Sequence, residues 1–225
     1  MLLTNADLDH VLGLFSLREG EALQVYATGA VQSTVESCLG LANVLNTFCG
    51  ATWSEPPLEY HPLGFAQPPA GRAVAGAGLL FRAIALDGKP PPFVRSTSPI
   101  GVQSVAYQFR DPRTGRQLLV APDVAALNPE LERALAESDA VLFDGTFWSP
   151  EELARVKSGA STADQMGHVT IRDCSLDLLR KSRARHRIYL HINNTNPILA
   201  SQSVERSAVE AAGIVVGYDG LEFEL

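Results

Sequence analysis

The sequence predicts a layered α/β fold, and three observations carry that expectation. Short apolar runs of strand length alternate with stretches of helical periodicity along the chain. The first elements follow a strand, loop, helix, strand order, which suits a parallel or mixed sheet covered by helices. Three strand-like runs end in side chains able to hold a metal: Asp9 with His10, Asp144, and His191. In layered α/β folds ligands gather where strands end and loops begin, so the repeated pattern says more than any one member.

Composition sets the outer limits. A chain of 225 residues, 46% hydrophobic and 19% charged, is long enough for one large domain of ordinary globular make-up, spanning 1–225. A net charge of -7 argues against a nucleic-acid partner, because phosphate binding needs a basic stripe. The one basic cluster, Arg180, Lys181, Arg183, Arg185 and Arg187, falls at a predicted helix C-terminus, where cations complement the helix dipole. No apolar stretch reaches the roughly 18 residues of a membrane-spanning helix, and no secretory leader pattern is present, so the expectation is a cytoplasmic protein without membrane insertion. Cys38, Cys49 and Cys174 show no CxxC spacing and read as small buried or inert thiols in a reducing compartment.

Taken in order, Val11, Leu12, Leu14, Phe15 and Leu17 give a helical face, and Leu23 to Ala27 a strand. Thr34 to Phe48 carries apolar residues at helical spacing and predicts one helix ending near Gly50. The proline-rich segment from Trp53 to Pro69 reads as a loop, with His61 on its surface. Ala73 to Leu86 predicts a buried strand, after which Lys89-Pro-Pro-Pro forbids regular structure. The alternation from Val102 to Phe109, the turn Arg113-Thr-Gly-Arg116 and the run Gln117 to Ala121 predict a hairpin. A helix follows from about Pro129 to Glu137, then the strand that ends in Asp144.

Pro150 at a first helical position, with Ser149 as cap, predicts a further helix, and Lys157 to Gln165 a polar, mobile loop. Ser175 to Arg183 is predicted helical, and the strand through Tyr189 leads into His191. Ser201 to Ala212 predicts the last helix, and Ile214 to Tyr218 and Leu221 to Leu225 two short final strands.

At the strand ends, Asp9 directly before His10 supplies two ligands, too few for a divalent ion, so the chain must supply more. Asp144 and His191 are the candidates, although Asp-Gly also makes a turn and a strand histidine also serves a core. A metal site is the preferred reading.

The stretches Leu2-Leu-Thr-Asn-Ala-Asp-Leu-Asp-His10, Asp144-Gly-Thr-Phe-Trp148, Met166-Gly-His168 and His191-Ile-Asn-Asn-Thr-Asn-Pro197 resemble the PqqB family of pyrroloquinoline quinone (PQQ) biosynthesis proteins, within the metallo-β-lactamase-like superfamily. The resemblance covers nearly the whole chain and implies an αββα sandwich. Hydrolases of the superfamily use a His-x-His-x-Asp-His motif, and here Asn5 and Asp7 stand where the first two histidines would be. That removes the usual first zinc site and leaves Asp9, His10, Asp144 and His191 as one site for a divalent metal. Two histidines with carboxylates and open positions suit iron(II) and oxygen activation better than paired zinc.

The resemblance therefore implies iron-dependent oxygenation, with molecular oxygen as co-substrate, of the tyrosine in a glutamate-tyrosine precursor of PQQ. It gives Asp9 a catalytic as well as a ligand role, and His168 a substrate-facing or proton-transfer role. Asn193, Asn194 and Asn196 would bind substrate, or form the turn after the strand. A carrier of PQQ or its precursor towards the periplasm is the alternative function, a hydrolase a weaker one, and a homodimer is compatible with either. PqqB-like proteins are expected to carry a further N-terminal stretch with the first strands of the sandwich, so the chain reads as N-terminally truncated, with an apolar sheet edge left uncovered.

Overall fold

The computed structural model describes residues 1–17, 21–64, 78–94 and 101–225, and these divide into two compact units, Met1–Val105 and Ala106–Leu225. Each unit is described by itself.

In the first unit the chain start pairs with the first strand: the backbone N–H of Leu3 donates to Tyr26, and that of Tyr26 to Met1. Asp9 and His10 do not end a strand-like run, which is what the sequence suggested, but lie on a one-turn helix α1 (Leu8–Val11), continued by a 3₁₀ segment over Leu12–Leu17. Strand β1 (Leu23–Tyr26) follows. The single helix expected over Thr34 to Phe48 is instead α2 (Gly29–Ser33), a π-helical turn over Thr34–Cys38, and α3 (Leu41–Phe48). Gly40, at φ 66°, makes the break, since a left-handed residue cannot continue a right-handed helix.

Strand β2 (Ala51–Ser54) pairs in parallel with β1, so Trp53 sits in a strand, not in the expected loop. Strand β3 (His61–Pro62) pairs antiparallel with β4 (Leu80–Leu86), and His61 is exposed. The first part of the strand expected over 73–86 and the end of the loop expected over 53–69 lie outside the described residues. Val11, Leu14, Val25, Val31, Val35, Leu41 and Leu45 form the core of this unit.

Strand β5 (Ser104–Arg110) runs across the boundary between the units and forms the expected hairpin with β6 (Gln117–Ala121). Helix α4 (Pro129–Glu137) has the predicted bounds, with Asn128 accepting the Leu131 N–H and proline in the first turn. Strands β7 (Ala140–Asp144), β8 (His186–Leu190) and β9 (Val215–Val216) follow, and the order is β5, β6, β7, β8, β9. Pairing is parallel from β6 through β9, so β6, β7 and β8 all end at one edge of the sheet.

Between β7 and β8 lie α5 (Glu152–Val156), α6 (Ala163–Met166), a π-helical turn over Ile171–Ser175 and α7 (Leu176–Lys181). Helix α6 occupies part of the segment expected as a loop, and a reciprocal Thr162/Gln165 capping box explains it. Ser149 does not cap α5 through its hydroxyl; the Glu152 carboxylate reaches back to the Trp148 N–H instead. Helix α8 (Val204–Ala211), capped by Ser203, is the last, and residues 221–225 form no strand. Among the described residues no helix is long and apolar enough to cross a membrane. Cys38 is exposed, and Cys49 and Cys174 are half-buried; all three are free thiols.

Candidate metal centre

The site of the second unit stands on the shared edge where β6, β7 and β8 end. Asp123 follows β6 by two residues, Asp144 is the last residue of β7, and His191 comes directly after β8. His168 arrives from the segment after α6, which Gly167 closes at φ 90°. Backbone bonds on either side hold it: Val169 N–H donates to the Val124 carbonyl, and Ile171 N–H to Phe147. The rings of His168 and His191 stack at 27° with centroids 5.6 Å apart, and Phe147 meets His168 edge-on.

Asp123, His168 and His191 each offer one ligand atom, and these atoms all lie within 4.8 Å of one another. Two imidazoles and one carboxylate drawn from three separate segments are a donor set that fits a divalent transition metal. Asp123 was not singled out in the sequence, where Pro122-Asp-Val reads as a lead into a helix. The signal was present nonetheless, since β6 runs into an acidic residue as β7 does.

Asp144 holds a different position from the one expected. It is 1% exposed, and both of its carboxylate oxygens are spent on protein donors. Oδ1 accepts from the Thr146 N–H at 2.9 Å and the Thr146 hydroxyl at 2.6 Å. Oδ2 accepts from the Val124 N–H at 2.9 Å and lies 2.8 Å from His168 Nδ1. Asp144 thus ties Val124, Thr146 and His168 together, and Asp123 Oδ1 lies 3.4 Å from His168 Nδ1 and 3.6 Å from His191 Nδ1.

The loop after β8 is built to hold His191. Its backbone takes φ 57°, unusual for a residue with a side chain. Gly145 lies so close to β8 that a Cβ there would meet the Tyr189 Cβ at 2.8 Å and the Leu190 carbonyl at 3.0 Å. The Asn196 amide is 2% exposed and wholly engaged in the turn, donating to the carbonyls of Gly145 and Thr146 and accepting from Ile198. Asn196 therefore holds the turn together. Asn193 donates to Thr195, and Asn194 is exposed. Thr195 in turn donates to Glu152, whose burial pushes its carboxyl above the ordinary range while bonds from Thr195 and Trp148 oppose the shift.

In the first unit, Asp9 is exposed, and His10 Nδ1 lies 3.0 Å from the Thr4 hydroxyl. Asn5, at one of the positions where the superfamily motif has histidine, is buried and accepts the Asp7 N–H.

Comparison with known proteins bears on the fold and the family. Residues 1–192 match the model of the beta-lactamase superfamily domain, a match that runs through both units. The coenzyme PQQ synthesis protein B of Cupriavidus necator is 36% identical, over 100% of this chain and 72% of that protein. A 1.98-Å crystal structure of Zn(2+)-bound PqqB from Methylobacterium extorquens is 30% identical with a TM-score of 0.81, covering 100% of this chain and 72% of that one. A diphosphatase of the PhnP family, 18% identical with a TM-score of 0.62, shares the fold. The fold is thus the metallo-β-lactamase-like α/β arrangement expected in the sequence. Within that superfamily, the chain belongs to the coenzyme PQQ synthesis protein B family.

Proposed function

We propose that this chain acts in the biosynthesis of PQQ, as an iron(II)-dependent oxygenase of the tyrosine in a glutamate-tyrosine precursor. The observation that carries the proposal is the convergence of Asp123, His168 and His191. Two histidines and one carboxylate are the donor set of non-haem iron(II) oxygenases, and a bound iron(II) would supply oxygen activation there. The relatives named coenzyme PQQ synthesis protein B support the pathway, and the Zn(2+)-bound relative supports a metal in the fold.

In this reading Asp123, His168 and His191 hold the metal. Asp144 and Thr146 keep the two imidazoles in place, Phe147 walls one side of His168, and Asn194 meets the substrate. Asp9 and His10 enter through the sequence motif. The protein works in the cytoplasm on a small dipeptide precursor.

The test is anaerobic binding of iron(II) and of zinc, in the wild type, Asp123→Ala and His191→Asn, followed by turnover of a Glu-Tyr peptide with oxygen and a reductant. One metal per wild-type chain, lost in both variants, with iron-dependent modification of tyrosine, is the expected result. Metal without turnover would overturn the oxygenase, and tight binding of PQQ without turnover would replace it with a carrier.

A further inference from the structure

We propose that Glu152 is a positioning residue: its buried carboxylate braces the loop over residues 191–196 against the segment after β7, and so holds the backbone that presents His191. The brace stands on hydrogen bonds within the second unit; its effect on metal affinity rests on the proposed function.

The brace begins at the start of a helix. Glu152 is the first residue of α5 and 6% exposed, and its side chain folds back so that Oε2 accepts the Trp148 N–H at 2.6 Å. That leaves Oε1, which accepts from the Thr195 hydroxyl at 2.6 Å. The Thr195 oxygen in turn accepts from the Asn193 side-chain amide, also at 2.6 Å. An ionised carboxylate can only accept, so the chain of donors runs one way, from Asn193 through Thr195 to Glu152.

The loop needs such a brace because of His191. Its φ of 57° is a sparsely populated conformation for a residue with a side chain, and one that persists only where the surroundings over-determine it. Two ties come from the turn beneath: the Asn193 N–H donates to the Thr146 carbonyl, and the Asn196 amide to the carbonyls of Gly145 and Thr146. Glu152 adds a third from the helix, through the one hydroxyl of the loop that the other two ties leave unused. Burial works against the charged form of this carboxyl and raises it above its ordinary range. An apolar side chain would fill the same space without that cost, so what the carboxylate adds is the link between the two segments.

The test compares Thr195→Val, which removes the hydroxyl and keeps the branched shape, with Thr195→Ser, which keeps the hydroxyl. In the metal-free protein, hydrogen exchange at the Asn193 and Asn196 backbone amides should be faster in Thr195→Val than in the wild type, and Thr195→Ser should restore it, while the amides of β7 keep their rates. Zinc affinity of the folded protein, measured by chelator competition, should fall about 10-fold in Thr195→Val and in Glu152→Ala, and recover in Thr195→Ser. The double variant should bind zinc about as weakly as Glu152→Ala alone, because both changes break one brace.

Zinc affinity unchanged in a folded Thr195→Val overturns the proposal, and so do losses that simply add in the double variant. If Glu152→Ala fails to fold, the two Thr195 variants decide. A wild-type protein that binds no metal overturns the proposed function, and the exchange rates then judge the brace by themselves: rates unchanged in Thr195→Val overturn it.

Discussion

Glu152 Oε1 accepts a 2.6 Å hydrogen bond from the Thr195 hydroxyl, tying the start of α5 to the loop that carries His191. Burial raises this carboxyl above its ordinary range, and the bonds from Thr195 and the Trp148 N–H only partly offset that. A carboxyl whose pKa is higher in the folded than in the unfolded chain binds more protons when folded. Its stabilisation is complete below the unfolded value and is lost as the pH rises through the folded one. The stability of the wild type relative to Glu152→Gln should therefore fall as the pH rises above the ordinary glutamate range. Urea unfolding of both proteins across that interval measures it, and a difference that is flat or rises with pH would refute it.

Asp144→Asn should be damaging for a reason the shape of the side chain hides. Each carboxylate oxygen accepts a fixed backbone N–H, from Val124 or from Thr146. An asparagine must turn its NH₂ toward one of them, leaving a buried donor opposed by a donor. A loss of about 1–3 kcal/mol in unfolding free energy is expected, together with weakened metal binding. A variant as stable as the wild type would show that the carboxylate is not required.

Gly145→Ala places a methyl group against the Tyr189 side chain and the Leu190 carbonyl, at distances too short for either to remain in place. Backbone shifts of this kind cost about 1–3 kcal/mol. The loop that must move carries His191, so thermal unfolding and metal affinity should decline together. Loss of stability with unchanged affinity would separate the two.

Asn194 and Asn196 should behave as opposites. Asn196→Ala removes a buried amide with three partners and should cost about 1–3 kcal/mol. Asn194→Ala alters an exposed side chain and should leave stability within about 0.5 kcal/mol. If Asn194 meets substrate, its removal should raise KM for the dipeptide at nearly constant stability. Equal thermal stability of the two variants would contradict this division.

Much of the second unit could be read from residues alone. The hairpin of β5 and β6, the bounds of α4 and the end of β7 follow from alternation, a capped start and an apolar run, all local signals. Errors came where tertiary context decides. Gly40 splits a periodic stretch into separate helices, and the tail over 221–225 shows strand-like alternation but forms no strand.

The donor set was only half legible for the same reason. That β6, β7 and β8 each end near an acid or a histidine is visible in the sequence. Whether such a carboxylate also meets backbone donors, as Asp144 does, depends on peptide groups from other segments.

The left-handed backbone of His191 bears on how its side chain should be removed. Histidine and asparagine tolerate φ near 57° better than most residues, because their polar side chains can bond locally, whereas alanine gains nothing there. An alanine knockout would disturb the path of the chain as well as delete the imidazole. Asparagine deletes the ring and leaves the turn its natural course, so it is the cleaner probe of what the imidazole itself contributes.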